Sequence, residues 1–242
     1  MRTAIDRFLR YLDVERNSSE LTIKSYREDL EMLCYFLTYN DGSLPAPREV
    51  TSQDLRQYVA AMSEAQYARS SISRRLATLR SFYRFCQRQG YTDSNPAKPL
   101  RNPRKQHSLP HFLSTEEVAK LISAPDTATP MGKRDHAVFE TMYSAGLRVS
   151  ELVGINDGDL HLDEGLIRVR GKGRKERFAP MGSFAVTAID SWLNARVLAK
   201  DSPQKALSPV FINRFGRRIT TRSIGRMLEK YIALAGLDSR TS

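Results

Sequence analysis

The chain has 242 residues, 40% of them hydrophobic, so it can build packed cores in one large domain or two modest ones. Its 38 lysines and arginines outnumber its 27 aspartates and glutamates, and the net charge of +11 favours a polyanionic partner, most often a nucleic acid. A basic surface that serves only solubility is the alternative. No apolar run approaches the roughly 20 residues of a membrane-spanning helix, and the charged N-terminus lacks a signal-peptide core, so no membrane attachment is expected.

The cysteines and histidines form no metal-site or redox-site pattern. Cys34 and Cys86 each lie in an apolar helical segment and belong to no Cys-x-x-Cys or Cys/His cluster, and the four histidines are scattered. We therefore predict two buried thiols in a cytoplasmic protein without a metal site.

The first 90 residues are predicted to fold as four helices. After capping candidates at 17–19, a second helix covers 21–37, and Thr51 with Asp54 forms a capping-box pattern before the third. The fourth helix, in "SSISRRLATLRSFYRFCQRQ", should end at Gly90.

The fourth predicted helix has an apolar stripe and, opposite it, a face of arginines and short side chains. This second face carries no acidic residue, whereas a solvated face normally mixes both signs. We therefore favour contact with DNA phosphates over simple solvation. The candidate contacts on this face are Ser70, Ser73, Arg74 and Arg84.

Residues 91–113 contain four prolines and a cationic cluster. Prolines at this density break helices and favour extended backbone, which predicts a linker. Its Arg101, Arg104 and Lys105 are candidate phosphate contacts. From this placement of charge we expect two domains, joined by a basic connector, to close around a duplex as a clamp.

The second domain should begin with a helix at "STEEVAKLI", whose Ser114 and Glu117 form a capping box. A helix over about 134–144 follows, and then Gly146 breaks the chain before a short helix near Arg148. This arginine stands in "ETMYSAGLRVSELVGI", an otherwise apolar segment that we expect to enter a core.

The periodicity then changes from helical to strand-like. Residues 166–170 are predicted to form a strand, "GKG" turns the chain with Lys172 at its tip, and 177–179 return. Ser183 is predicted to cap a helix that reaches about residue 200, and "PVFIN" to form a short extended segment. A last helix over 221–235 completes the pattern.

Two motifs together resemble a known family. "AGLRVSEL", followed some two dozen residues later by "VRGKGRKERFAPMG", is similar to the tyrosine site-specific recombinases, or phage-integrase family, and most of all to their XerC/XerD branch. "LTIKSYREDLEMLCYFL", "SSISRRLATLRSFYRFCQRQGYTDSNPA" and "LPHFLSTEEVAKLI" agree, so the resemblance covers nearly the whole chain.

The resemblance implies a multidomain α and α+β fold. An all-α four-helix, SAM-like core-binding domain would occupy 1–90, the basic proline-rich linker 91–113, and the tyrosine-recombinase catalytic domain 114–242. This last domain would be mostly helical, with a small antiparallel β-hairpin or sheet, and C-terminally incomplete.

The resemblance also implies roles for individual residues. Arg148 would contact the scissile phosphate with Glu151 holding its guanidinium, and Lys172 would protonate the leaving 5′-oxygen as general acid. A plain ion pair between Arg148 and Glu151 and a solvated hairpin lysine are the alternatives. The family nucleophile is a tyrosine that forms a 3′-phosphotyrosyl bond, which requires neither ATP nor a metal, so no cofactor is expected. Further candidate DNA contacts are Lys24, Arg27, Arg174 and Arg177.

The implied activity is DNA strand cleavage and rejoining that resolves chromosome or plasmid dimers. The implied partners are a double-stranded DNA recombination site and other recombinase subunits, identical or paralogous, in a tetramer on DNA. A DNA translocase is a further candidate partner. The alternatives are a phage or transposon integrase, with the same chemistry, and a non-catalytic DNA-binding paralogue.

In the family, the hairpin is followed by a His-x-x-Arg motif, a second His or Trp and then the nucleophilic tyrosine. These motifs are not present in the printed sequence. No histidine has an arginine three positions later, and Tyr231 is the only tyrosine after the hairpin. Tyr231 shares a helical stripe with Ile224, Leu228 and Leu234, so we predict that it packs in the core. We therefore expect these 242 residues to be a fragment of a longer recombinase, or a shortened DNA-binding paralogue, and not to cleave DNA by the family route.

Overall fold

A computed structural model describes residues 1–38, 42–103, 112–171, 175–199 and 207–238. The chain divides into two compact units, residues 1–108 and 109–242, and each unit has a hydrophobic core of its own. No helix within the described ranges is both long and apolar enough to cross a membrane.

The N-terminal unit contains the four predicted helices. They are α1 (Arg2–Val14), α2 (Glu20–Leu37), α3 (Ser52–Glu64) and α4 (Arg69–Arg88). Ser19 caps α2, Thr51 and Asp54 cap α3 reciprocally, and Gly90 takes a positive φ of 71° just after α4. These end signals act as the sequence predicts because each one satisfies backbone groups that a helix terminus leaves unpaired.

The predicted apolar stripe of α4 is the centre of this unit's core. Ile72, Leu76, Leu79, Tyr83 and Cys86 are all buried against the other three helices. Cys86 and Cys34 are free thiols, as predicted, and their burial raises the pKa of both, that of Cys86 to about 12.

In its described residues, the C-terminal unit is mostly helical and carries one small sheet. Its helices are α5 (Thr115–Ser123), α6 (Pro130–Ala145), α7 (Val149–Gly154), α8 (Ser183–Ala195) and α9 (Thr221–Leu234). Its strands are β1 (Leu160–His161), β2 (Leu166–Arg170) and β3 (Glu176–Pro180). The strands pair antiparallel in the order β1-β2-β3, so the predicted hairpin gains a short third strand that the sequence analysis did not identify.

Two predicted helix bounds in this unit are wrong. Helix α6 begins at Pro130 rather than near 134, because the Thr129 side chain caps it and proline suits the first helical position. Helix α8 ends at Ala195, short of residue 200, and its N-cap is Gly182 rather than Ser183.

The core of the C-terminal unit surrounds Trp192, the single tryptophan of the chain. The indole is fully buried, and its Nε1 donates a hydrogen bond of 2.8 Å to the Val210 carbonyl. The segment that includes Val210, which was predicted to be extended, forms isolated bridges from Pro209 to Asn156 and from Ile212 to Arg218. The buried indole therefore ties this segment to α8.

Candidate active site

Arg148 lies at the start of α7 and points away from the core. Gly146 ends α6 in the left-handed conformation (φ 57°), which turns the chain so that Leu147 is buried and Arg148 becomes the N-cap of α7. The Arg148 side chain is 78% exposed. The expectation that this arginine is directed into a core is therefore wrong, because the turn at Gly146 separates it from its apolar neighbours.

The buried charge of this segment is Glu151, whose side chain is 4% exposed. Its Oε2 accepts the Arg148 backbone N–H at 2.9 Å, and its Oε1 accepts Arg148 Nη1 at 3.1 Å. Oε2 also accepts Arg177 Nη2 from strand β3 at 3.1 Å. Burial works to raise the pKa of the Glu151 carboxyl, but these donors outweigh it and the pKa is lowered.

The base of the β2–β3 hairpin lies beside this carboxylate. Arg177 is in register with Val169 and lies on the sheet face that turns toward α7. A β-carbon at Gly171 would be 3.6 Å from Glu151 Oε1, so the strand passes close to the carboxylate where it enters the turn. Gly171 donates its N–H to the Lys175 carbonyl at 2.8 Å. The tip itself, with Lys172 and Arg174, lies outside the described residues.

A second buried carboxylate holds strand β2. The Asp159 side chain is 1% exposed and accepts the Asn156 backbone N–H at 3.0 Å. It also accepts hydrogen bonds from Arg168 Nε at 2.9 Å and from both Nη groups of Arg170 at 2.8 Å. Burial opposes the charge on Asp159, yet these donors lower its pKa. The sequence analysis missed this residue, although alternating arginines on a strand that follows an aspartate were a usable signal.

Arg218 fixes the other end of α7 and was also missed. Its Nη1 donates to the carbonyls of Val153, at 2.7 Å, and Ile155, at 3.1 Å, and its Nη2 donates to Asn156 Oδ1. These acceptors include carbonyls that a helix end leaves unpaired. Helix α7 is therefore fastened by guanidinium contacts at both ends.

Tyr231 packs in the core, as predicted. Its ring is buried edge-to-face against Phe139, and its hydroxyl donates to Asp135 Oδ2 at 3.0 Å. Burial and the neighbouring Asp135 carboxylate raise the pKa of Tyr231 to about 12. Its hydroxyl is thus hydrogen-bonded inside the unit.

The candidate DNA contacts of α4 do not behave alike. Ser70 and Arg84 are exposed, whereas the Ser73 Oγ is buried and has no hydrogen-bond partner among the described residues, so it does not present its hydroxyl to the surface. Arg74 is half-exposed and pairs with Asp29 of α2.

The other candidate DNA contacts lie on the surface where the structure describes them. Lys24 and Arg27 are exposed on α2, with Lys24 at 4.0 Å from Glu28, and Arg101 is exposed. Arg104 and Lys105 lie outside the described residues. Within the described ranges, no three histidine, cysteine, aspartate or glutamate side chains are placed to hold a metal ion.

Known protein families match both units of the chain. Residues 111–242 match the Phage integrase family, and residues 5–90 match the Phage integrase, N-terminal SAM-like domain. The chain belongs to the phage integrase family. The resemblance drawn from the "AGLRVSEL" and "VRGKGRKERFAPMG" motifs is confirmed, as is the fold class of a SAM-like helical unit and a mostly helical catalytic unit with a small antiparallel sheet.

Curated members of the phage integrase family are similar over almost the whole chain. Tyrosine recombinase XerC of Pelotomaculum thermopropionicum is 40% identical over 245 residues, which cover 98% of this chain and 80% of the relative. Tyrosine recombinase XerC of Oceanobacillus iheyensis is 40% identical over 236 residues, which cover 96% of this chain and 76% of the relative.

Solved structures of two integrases share the fold. The Tn1549 transposon integrase in complex with transposon right end DNA superposes with a TM-score of 0.75 at 18% identity, over 99% of this chain and 82% of that one. A lambda integrase tetramer bound to a Holliday junction superposes with a TM-score of 0.71 at 15% identity, over 98% of this chain and 66% of that one.

Proposed function

We propose that this protein is a site-specific DNA recombinase of the Xer type, which breaks and rejoins DNA strands through a 3′-phosphotyrosyl intermediate. The observation that carries the proposal is the Glu151 carboxylate, which holds the exposed guanidinium of Arg148 and also holds Arg177 at the hairpin base. Relatives at 40% identity that are named tyrosine recombinases support it.

Arg148 would bind the scissile phosphate. Glu151 engages its Nη1, and the other N–H groups of this exposed side chain make no hydrogen bond within the described residues. They can donate to the non-bridging oxygens of a phosphate. Because Glu151 already fixes the guanidinium, little reorganisation is needed when charge develops at phosphorus. Arg177, held by the same carboxylate, adds a second positive charge nearby.

Lys172 would act as the general acid that protonates the 5′-oxygen as it leaves. Asp159 would support it from a distance, because its bonds to Arg168 and Arg170 hold the strand that leads into the turn. Glu151 would do the same from the other side of the strand, next to Gly171.

The proposed organisation follows the family. Residues 1–90 would form the core-binding domain, 91–113 the linker and 114–242 the catalytic domain. The proposed substrate is a double-stranded DNA recombination site in the cytoplasm, bound by several recombinase subunits, as in the lambda integrase tetramer bound to a Holliday junction. A DNA translocase is proposed as an additional partner.

The proposal is tested with a DNA half-site that the protein itself selects from random sequence. Arg148→Ala in the full-length product of the gene should lower covalent cleavage of a suicide substrate by about 100-fold or more, the usual size for loss of one preorganised donor to the reacting group. Half-site affinity should change by less than about threefold, because DNA makes many other phosphate contacts. Arg222→Ala, which removes an exposed arginine of α9, is the matched control and should leave cleavage unchanged.

Survival of cleavage in Arg148→Ala would refute the role given to this residue. A non-catalytic DNA-binding protein would bind the same half-site but would never yield a covalent adduct, with or without Arg148.

A further inference from the structure

A buried aspartate in the N-terminal unit lies between two arginines of a neighbouring helix. Asp29 of α2 has a side chain that is only 2% exposed. Its Oδ2 accepts Arg74 Nη1 at 2.5 Å and Thr78 Oγ1 at 2.8 Å, and its Oδ1 lies 3.5 Å from Arg75 Nε. One carboxylate therefore faces two guanidinium groups, and the cluster keeps a net positive charge.

The two arginines point in different directions. Arg75 is 12% exposed and turns inward, where its guanidinium lies 4.5 Å from the centre of the Tyr67 ring and its Nη1 lies 3.4 Å from the Tyr58 hydroxyl. Arg74 is 46% exposed and turns toward the surface. The net positive charge of the cluster is therefore exposed to solvent mainly at the Arg74 guanidinium.

Among the described residues, the hydrogen bonds of Arg74 all come from one nitrogen, Nη1. Its Nη1 donates to Asp29 and to the Ser25 hydroxyl, and its Nε and Nη2 donate to no protein atom in the described part of the chain. The buried carboxylate thus fixes the plane of the guanidinium while leaving donors available. A side chain oriented in advance loses less conformational freedom when it binds an anion.

The surroundings of Arg74 favour DNA phosphate as that anion. The Ser25 hydroxyl, which accepts from Arg74 Nη1, belongs to α2, where Lys24 and Arg27 are exposed. On α4, Ser70 and Arg84 are exposed on the same face as Arg74. Exposed cations are therefore present on both of the helices that carry the Asp29–Arg74 pair.

We propose that Asp29 is a positioning residue for DNA binding, which holds Arg74 in the orientation that contacts a backbone phosphate. The inference rests on the proposed function, because it requires that α4 faces DNA. It predicts an effect opposite in sign to simple electrostatics: removing a negative charge near DNA should strengthen binding, whereas removing the group that orients Arg74 should weaken it.

The test is a double-mutant cycle on half-site affinity, with the self-selected half-site as probe. Asp29→Asn and Arg74→Ala should each weaken binding about tenfold, the size of one charge-assisted hydrogen bond. The double variant should be no weaker than Arg74→Ala, because Asp29 acts through Arg74.

Two controls separate positioning from stability and from charge. Thr78→Val removes the other buried hydrogen bond to Asp29 and leaves Arg74 in place, so it should lower the melting temperature without changing affinity. Glu28→Gln makes the same change of charge one residue away on an exposed side chain, so it should leave binding unchanged or strengthen it. If Asp29→Asn does not fold, Ser25→Ala takes its place in the cycle, with an expected loss of about threefold that again disappears in the Arg74→Ala background.

The outcomes are distinguishable. Additive losses, no loss in Arg74→Ala, or stronger binding by Asp29→Asn would overturn the positioning role while the proposed function stands. Failure of the unaltered protein to prefer any half-site over scrambled DNA would overturn the proposed function together with this inference.

Discussion

Replacing Glu151 by glutamine should loosen the link between α7 and the hairpin. The change keeps the size of the side chain but removes the charge that accepts Arg148 Nη1 and Arg177 Nη2. Loss of a fully buried ion-pair partner costs about 3–5 kcal/mol. Both guanidinium groups are partly in water, 78% and 44% exposed, and can rehydrate, so we expect a loss of only about 1–2 kcal/mol.

Trp192 provides the assay, because it is the single tryptophan and is buried in the C-terminal unit. Its fluorescence during urea titration therefore reports the unfolding of the C-terminal unit alone, because the N-terminal unit contains no tryptophan. With a slope of about 2 kcal/mol per molar urea, the midpoint of Glu151→Gln should fall by about 0.5–1 M. Glu176→Gln is the matched control, since Glu176 pairs with Arg170 in the same hairpin but both side chains are about half-exposed, and its loss should stay below about 0.5 kcal/mol.

The effect of Glu151 should also depend on pH. Its pKa is lowered in the folded state, so its stabilisation is present above the ordinary glutamate pKa and is lost as the pH falls through the lowered folded-state value. The difference between the unaltered protein and Glu151→Gln should therefore shrink as the pH drops below about 4. A loss no larger than that of Glu176→Gln, or one that is constant down to low pH, would refute this account of Glu151.

Three further outcomes are expected. Arg84→Glu should weaken half-site binding and reduce the slope of log affinity against log salt by about one unit. Fluorescence anisotropy between about 50 and about 200 mM salt measures both quantities. Unchanged affinity would mean that Arg84 faces water. Lys172→Ala in the full-length gene product should slow cleavage. A substrate with a 5′-bridging phosphorothiolate should restore much of the rate, because its thiolate leaves without being protonated. Absence of rescue would argue against a general acid. Tyr231→Phe should lower the free energy of unfolding in urea by about 1 kcal/mol, because its hydrogen bond to Asp135 is lost. Cleavage should not change. A cleavage defect without loss of stability would contradict the core role of Tyr231.

Helix ends and the apolar faces could be predicted from the sequence because they depend on local chemistry. The Thr51–Asp54 and Ser114–Glu117 capping boxes form as their spacing indicates. The same holds for the buried position of Tyr231, which follows from helical periodicity. These features need no knowledge of which elements meet in space.

The partners of the charged residues could not be predicted, because they join elements that are far apart in the chain. Asp29 meets Arg74 across 45 residues, and Glu151 meets Arg177 across 26. The exposure of Arg148 was also missed, since it depends on the left-handed turn at Gly146 rather than on local composition.

The central claim is that Arg148 and Lys172 act on one DNA phosphate. It is tested most directly by scanning a half-site with single methylphosphonates, each of which removes one backbone charge, and measuring the affinity of the unaltered protein, Arg148→Ala and Lys172→Ala. We expect one phosphate whose neutralisation weakens the unaltered protein by about two- to threefold and at which both variants lose most of that sensitivity. Loss of sensitivity at two different phosphates, or retained sensitivity in both variants, would contradict it.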